Sequence, residues 1–306
     1  MYYSGFADEA GLSIDVQIQA TRKLGWSAIE ARNIDGINLH DISDEEFELV
    51  CQKLDENGVR IDCFGSAVAN WGKDPRDEED FQRSMEELKR AIPRMQRLKT
   101  KLIRGMSFAI AKDEQPDSPE LEKMIIEKLK AFVRVCEENG VTYLHENCSN
   151  FGGLSHQHTL KLLDGVNSPN FKLVFDTGNP VGMDRRIGQP PYAKQSSWEF
   201  YQNVKPAIRR VHVKDCIFTS ESEGIFPERQ HTFPGEGQGD VRRILKDLFE
   251  SGYDEALSIE PHIAAVYHDD SVSSTEEKRF ATYVEFGQRL MKLTADIRGE
   301  FLKAQP

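Results

Sequence analysis

The chain has 306 residues, 39% of them hydrophobic, enough to bury a large core in one α/β barrel or in two smaller domains. Its 39 basic residues against 51 acidic ones leave a formal charge of −12, which repels nucleic-acid phosphates and anionic membranes. No window reaches the roughly 18 apolar residues of a membrane span, so neither nucleic acid nor membrane is an expected partner.

The first residues, MYYSGFADEAG, lack the basic stretch and long apolar run of a secretory leader. Cys51, Cys63, Cys136, Cys148 and Cys216 are odd in number, scattered and without CxxC spacing, which reads as free thiols in a reducing compartment. A soluble cytoplasmic protein is the expectation.

Short apolar runs alternate along the chain with amphipathic stretches of ten or more residues, the pattern of repeated βα units. A strand is expected near Tyr3–Ala7 and a helix from Ser13 to Gly25. A second strand near Ala28–Ala31 leads to a helix from Ser43 to Gly58, and a third near Arg60–Gly65 leads to one from Glu79 to Leu98. The fourth, Lys101–Gly105, precedes a segment opened by Ser118-Pro119 and closed by Gly140, with Leu121, Met124, Ile125, Leu129, Phe132, Val133 and Cys136 on one face. The remaining strands fall near Val141–His145, Lys172–Phe175, Arg210–Val213 and Ala256–Ile259, with helices from Asp240 to Gly252 and Thr275 to Leu293. Gly182 to Ser197, with Pro190-Pro191, reads as a long mouth loop rather than a hinge.

Eight such units close into an α/β (β/α)8 TIM barrel, expected as a single domain over residues 1–306. An open doubly wound sheet would need a glycine-rich phosphate turn after an early strand, and neither GFADEAG nor FGSAVANWG fits one.

Strands five to eight each stop on a metal-ligand type: Glu146, Asp176, His212 and Glu260, spaced 30, 36 and 48 residues apart. A barrel brings the C-terminal ends of its strands to one mouth, so these four converge there. Taken singly, each has a plainer role: a strand-end Glu as a salt-bridge partner, His212 as a hydrogen-bonded core residue, Asp176 as the cap of the next turn. Taken together, three carboxylates buried without a cation would be very costly, which favours a metal. An oxygen-rich set with one imidazole suits Mn²⁺, Mg²⁺ or Co²⁺, with Zn²⁺ less favoured.

The segments GFADEAG, IEAR (Ile29–Arg32), HEN (His145–Asn147), FDTGN (Phe175–Asn179), HVKD (His212–Asp215), GEGQGDV (Gly235–Val241) and SIEPH (Ser258–His262) resemble, in order and spacing, the sugar isomerase and epimerase barrels related to xylose isomerase. That family includes ketose 3-epimerases, hydroxypyruvate isomerases and inosose dehydratases. The resemblance implies a xylose isomerase-like barrel in which Glu146, Asp176, His212 and Glu260 hold one divalent cation. It also implies that Glu146 and Glu260 are the catalytic pair, standing on opposite faces of the substrate carbon and moving its proton. The ketose epimerases tend to carry a substrate-binding His three residues after the metal-binding Asp, where this chain has Asn179.

The function so implied is a metal-dependent isomerase or epimerase acting on a ketose or keto-polyol through an enediolate. A dehydratase (lyase) of an inosose-like keto-polyol is the alternative, and a non-catalytic metal-bound barrel that binds small molecules is the second. An apurinic endonuclease would need more strand-end histidines and less negative charge. A homodimer or homotetramer is implied by the proteins it resembles.

Substrate contacts are expected from Lys214, Asn179, Glu30, Arg32, Trp71 and His262. Period-2 geometry puts Arg210 and Lys214 on one face with His212, and His262 on one face with Glu260. Lys214 binds a substrate oxygen or pairs with Asp215 or another mouth carboxylate, whereas Arg210 lies deeper beside a barrel acid. Glu30 and Arg32 touch hydroxyls across the mouth or form an ion-pair network. His156 and His158, after an N-cap at Ser155, read as helix-surface residues. Trp71 and Phe108 are candidates to pack on a sugar face. Arg185 and Arg186 are candidates to recognise an anionic group, and Asp240 reads as an N-cap behind three glycines.

Overall fold

A computed structural model describes residues 1–110, 115, 118–222, 227–265 and 274–304. Eight strands, β1 (Tyr2–Gly5), β2 (Ala28–Ala31), β3 (Arg60–Gly65), β4 (Leu102–Gly105), β5 (Thr142–Glu146), β6 (Phe171–Asp176), β7 (Ile208–Val213) and β8 (Ala256–Ile259), form one parallel sheet. Its order runs β1-β8-β7-β6-β5-β4-β3-β2. Beyond the ends of that ladder, a single parallel bridge between Phe6 and Glu30 joins the chain after β1 to β2 and brings the sheet round into a barrel. Every expected strand is present, and β2, β3 and β8 have the expected bounds.

Helices α1 (Ile14–Lys23), α2 (Asp44–Asn57), α3 (Glu78–Leu98), α4 (Pro119–Glu138), α5 (His156–Val166), α6 (Ser197–Val204), α7 (Val241–Glu250) and α8 (Glu276–Ala304) connect the strands or follow the last. Their ends are written locally. Ser43 and Glu46 form a reciprocal capping box at the start of α2, and Gly58 closes it at φ 63°. Ser118 caps α4, with proline in its first turn. Helix α8 runs eleven residues past the expected Leu293, because Ile297 still reaches the core.

Period-2 alternation sorts each strand into two faces. One face packs on the helices, where a continuous apolar cluster holds Tyr143, Phe171, Leu173, Phe175, Val211, Leu257 and their helix partners. The barrel interior is divided. Cys63, Leu144 and Val174, with Leu102 against them, make a separate apolar cluster. The side toward β1, β2, β7 and β8 is filled by polar groups: Ser4 donates to Asp62, and Arg210 donates to Glu30 at 2.6 Å and to both Asp62 oxygens at 3.0 and 3.1 Å. Arg210 is completely buried, as its deeper position in strand β7 suggested.

Asp215–Ser220 and Glu228–Thr232 pair antiparallel as a hairpin after β7, with residues 223–226 outside the described ones. Behind it, the Asp215 carboxylate accepts the backbone N–H groups of Gly235, Gly237, Gly239 and its neighbour Cys216 at 2.9 to 3.0 Å. Glycine is required at position 237, since a Cβ there would stand 2.3 Å from Asp215 Oδ1. Asp240, expected as an N-cap, has φ 53° and makes no side-chain capping bond. The carboxylate that organises this turn comes from the strand end instead.

Asp215→Ala therefore leaves several N–H groups without their acceptor and is expected to cost about 3 kcal/mol. A urea midpoint lowered at unchanged slope checks this, and a loss below about 1 kcal/mol contradicts it.

Candidate metal centre

Strands β5, β6 and β7, with the residue after β8, deliver Glu146, Asp176, His212 and Glu260 to one rim, all of them buried. One donor atom from each lies within 4.8 Å of all the others. Donors on opposite sides of an ion with bonds of about 2.1 Å stand about 4.2 Å apart, so the group has nearly the size one cation needs.

Each head is held by a second contact. Asp176 Oδ1 accepts the backbone N–H groups of Gly178 (2.8 Å) and Asn179 (2.6 Å), which fixes the turn and leaves Oδ2 facing the cluster. Capping and ligation are thus both open to this one side chain. His212 sits between two carboxylates, Nδ1 3.3 Å from Glu146 Oε1 and Nε2 3.0 Å from Glu30 Oε2. Glu260 accepts from Lys214 Nζ at 2.8 Å and from Arg32 Nη1 at 3.1 Å. Glu146 Oε2 lies 3.0 Å from Arg104 Nε. Glu146 Oε2 and Asp176 Oδ2 are both buried without a hydrogen bond. Each of these oxygens has a cationic side chain beside it, Arg104 for the first and Lys214 for the second, but no hydrogen bond, and two such oxygens inside a cluster of four metal-ligand types fit a hard divalent cation.

The titration behaviour reflects the same crowding. Burial pushes the Asp176 carboxyl up to about 6, since Lys214 offsets it only in part and Glu260 and Glu146 add to it. For Glu260 burial acts upward too, but Lys214, His262, His212 and Arg32 outweigh it and hold the carboxyl well below its usual range. Burial lowers the His212 imidazolium, yet Glu30 and Glu146 raise it to about 10. Positive charge is in demand here.

Lys214 Nζ is 3.1 Å from Asp176 Oδ2 besides its contact to Glu260, so its partners are two mouth carboxylates and not Asp215. Asn179 Nδ2 reaches Glu146 Oε1 at 3.4 Å. Arg32 pairs with Asp8 through two bonds of 2.9 and 3.1 Å and lies over the Phe6 ring at 4.4 Å. His262 takes φ 53°, and its Nδ1 meets Glu9 Oε1 at 2.9 Å. Glu9, Glu260 and His262 form a second group of ligand types, but the Arg32 guanidinium, 3.1 Å from Glu260 and 3.6 Å from Glu9, already supplies its cation.

Several expectations are corrected. Glu30, expected to touch hydroxyls across the mouth, is fully buried inside the barrel, its Oε2 shared among Arg210, His212 and Ser258. It does not pair with Arg32, whose partners are Asp8, Glu9 and Glu260. Phe108 is fully buried against Phe132 rather than open to a sugar. His156 and His158 are buried as well, the first against Phe200 and the second against Phe151 and Ser155. Arg185 makes an exposed bridge to Glu199. Trp71 is half-buried in the turn that follows β3.

Three residues of the site were missed in sequence: Arg104, Glu9 and His231. Arg104 stands one residue before the end of β4, which closes on Gly105, so the strand-end rule that found Glu146 passes it by. Glu9 stands in the quoted GFADEAG segment. His231 had no signal, because it reaches His262, 5.2 Å between ring centres, only through the unforeseen hairpin.

The family described as xylose isomerase-like TIM barrel matches residues 18–284. A stretch of 135 residues is 28% identical to an uncharacterized protein of Methanocaldococcus jannaschii, covering 43% of this chain and only 41% of that relative's length. The barrel superposes on a D-tagatose 3-epimerase-like protein with a TM-score of 0.72 at 17% identity, over 98% of this chain and 100% of the other. It also superposes on the IOLI protein with a binding zinc atom, TM-score 0.69 at 16% identity, over 97% and 99%. At these identities the likeness is one of fold.

A cation taken up by the cluster binds the folded chain and not the unfolded one, so Mn²⁺ at a hundred times its Kd is expected to add about 2.7 kcal/mol of stability. A melting temperature that rises with Mn²⁺ and falls with chelator checks this. Indifference to both contradicts it.

Proposed function

Because the chain belongs to the xylose isomerase-like TIM barrel family, we propose that it is a divalent-metal-dependent sugar isomerase or epimerase. The substrate is a ketose, keto-polyol or related hydroxycarbonyl compound, and the reaction moves a proton on the carbon beside the carbonyl. The observation that carries this reading is the gathering of Glu146, Asp176, His212 and Glu260, one donor atom of each lying within 4.8 Å of all the others.

Those four residues would hold the ion, with Mn²⁺ first and Mg²⁺, Co²⁺ and Zn²⁺ as alternatives. The chemistry a bound cation supplies at this place is positive charge against the oxygens of a developing enediolate. The rest falls to the chain. Glu146 and Glu260 are both held ionised at neutral pH, the first because Arg104 and His212 outweigh the upward push of its burial. A carboxylate of low pKa is a weak base, so it takes a carbon-bound proton only where the resulting negative charge is stabilised. In the proposed cycle one carboxylate takes the proton from one face, a solvent proton reaches the opposite face through the other carboxylate, and the first then gives its proton up to solvent.

Lys214 and Asn179, each within reach of a catalytic carboxylate, are assigned to the substrate's oxygens, and Trp71 to its apolar face. Arg32 and His262 hold Glu260 from the side away from Lys214.

Glu146→Gln and Glu260→Gln are each expected to lower kcat by about 10² to 10⁴, the span of general acid–base effects, with the melting curve retained. A screen of ketoses and inososes in D₂O reads the reaction directly: deuterium enters beside the carbonyl at unchanged composition. Turnover retained in both variants removes the two-carboxylate mechanism, and a product lighter by one water makes the protein a dehydratase.

A further inference from the structure

His212 is the one imidazole in the cluster, and an imidazole can present either ring nitrogen to a metal. Which nitrogen it presents depends on what holds the other. Here Nε2 lies 3.0 Å from Glu30 Oε2, while Nδ1 points to the cluster, 3.3 Å from Glu146 Oε1. Ring and carboxylate are both completely buried, so no water competes for that contact.

Glu30 is itself fixed. Its Oε2 accepts from Arg210 Nε and Ser258 Oγ, both at 2.6 Å, and Arg210 is clamped from its far side by the two Asp62 oxygens. The Phe6 ring packs against the imidazole in a T-shaped arrangement, ring centres 5.0 Å apart, and limits its tilt. Four strands thus converge on one carboxylate oxygen: β2 supplies it, β7 supplies both Arg210 and His212, β8 supplies Ser258, and β3 anchors the arginine.

We infer that Glu30 is the positioning residue of the metal centre: by accepting the Nε2 proton of His212, it sets the tautomer and ring plane that leave the Nδ1 lone pair for the ion. The inference rests on the metal reading of the cluster and deepens it. Glu30 touches neither substrate nor ion. It acts through His212, as the carboxylate behind a metal-binding histidine commonly does, and loss of such a partner typically weakens metal binding about 10- to 100-fold.

The test uses the full chain loaded with Zn²⁺ and, separately, with Mn²⁺. In long-range ¹H–¹⁵N spectra of the Zn²⁺ protein, His212 is expected to carry its proton on Nε2 and to show a metal-shifted Nδ1. Glu30→Ala should weaken Mn²⁺ binding about 10- to 100-fold and erase the sheltered Nε2–H signal. Glu30→Gln keeps an accepting oxygen and should recover part of both. Ser258→Ala, which removes one donor to Glu30 and leaves the ion pair intact, should weaken Mn²⁺ binding by a smaller factor and serves where Glu30→Ala does not fold.

A proton on Nδ1 in the loaded protein overturns the inference. So does Mn²⁺ affinity in the Glu30 and Ser258 variants equal to that of the parent, or an affinity loss with the Nε2–H signal unchanged, which marks a merely structural role. If the parent chain binds neither Mn²⁺ nor Zn²⁺, the metal reading fails and this inference with it. If the parent binds both and only the variants disagree, the metal reading stands and Glu30 alone loses its role.

Discussion

Three carboxylates buried at one rim set the problem that the rest of this molecule answers. Glu146, Asp176 and Glu260 lie within a single cluster and are almost wholly removed from water. Buried charges without partners cost several kcal/mol each, so the fold must bring positive charge to them. It does so from four directions. Lys214 meets Asp176 and Glu260, Arg32 meets Glu260, Arg104 meets Glu146, and His212 meets Glu146. Phe6 lies at the centre of three of these cations, with Arg32 and Arg104 over its ring at 4.4 and 5.3 Å and His212 at its edge. An aromatic face attracts cations while giving them nothing to neutralise, which keeps them near the carboxylates without pairing them away.

A second charged layer lies deeper. Glu30, Arg210 and Asp62 form an ion-paired group closed to solvent. Its residues come from β2, β7 and β3, and Glu30 links it to the rim through His212. The interior thus divides by function: an apolar half of Cys63, Leu144, Val174 and Leu102 packs the barrel, and a polar half braces the heads above it. Opposite the strands, the hairpin after β7 brings His231 over His262. Burial, with His262, Lys214 and Arg229 adding to it, lowers His231 to about 2, so it meets the site as a neutral ring.

Much of this was legible in the sequence because two rules act locally. Alternating apolar runs and capped helices give the βα count, and the strand-end rule places Glu146, Asp176, His212 and Glu260 at one mouth without knowledge of any contact. Contacts between strands were harder. Glu30 and Arg32 share a face by period, yet Arg32 lies one residue beyond the end of β2, where the chain turns toward Asp8, while Glu30 remains among the barrel side chains. That parting depends on barrel register, including a shift between Ile29 and Glu30 against β3, and no periodicity reports it. Phe108 was misplaced for a related reason. It follows a strand end, but φ 67° turns it back onto Phe132. His156 and His158 occupy the first turn of α5, which is buried against Phe151 of the preceding loop and Phe200 of α6 rather than open to solvent.

Anomalous scattering at the manganese edge, from crystals grown with Mn²⁺, bears most directly on the claim that one cation unites the four heads. The expected result is a single peak with Glu146, Asp176, Glu260 and His212 Nδ1 all at about 2.2 Å from it. No peak at that rim, or one held instead by Glu9 and His262, would contradict it.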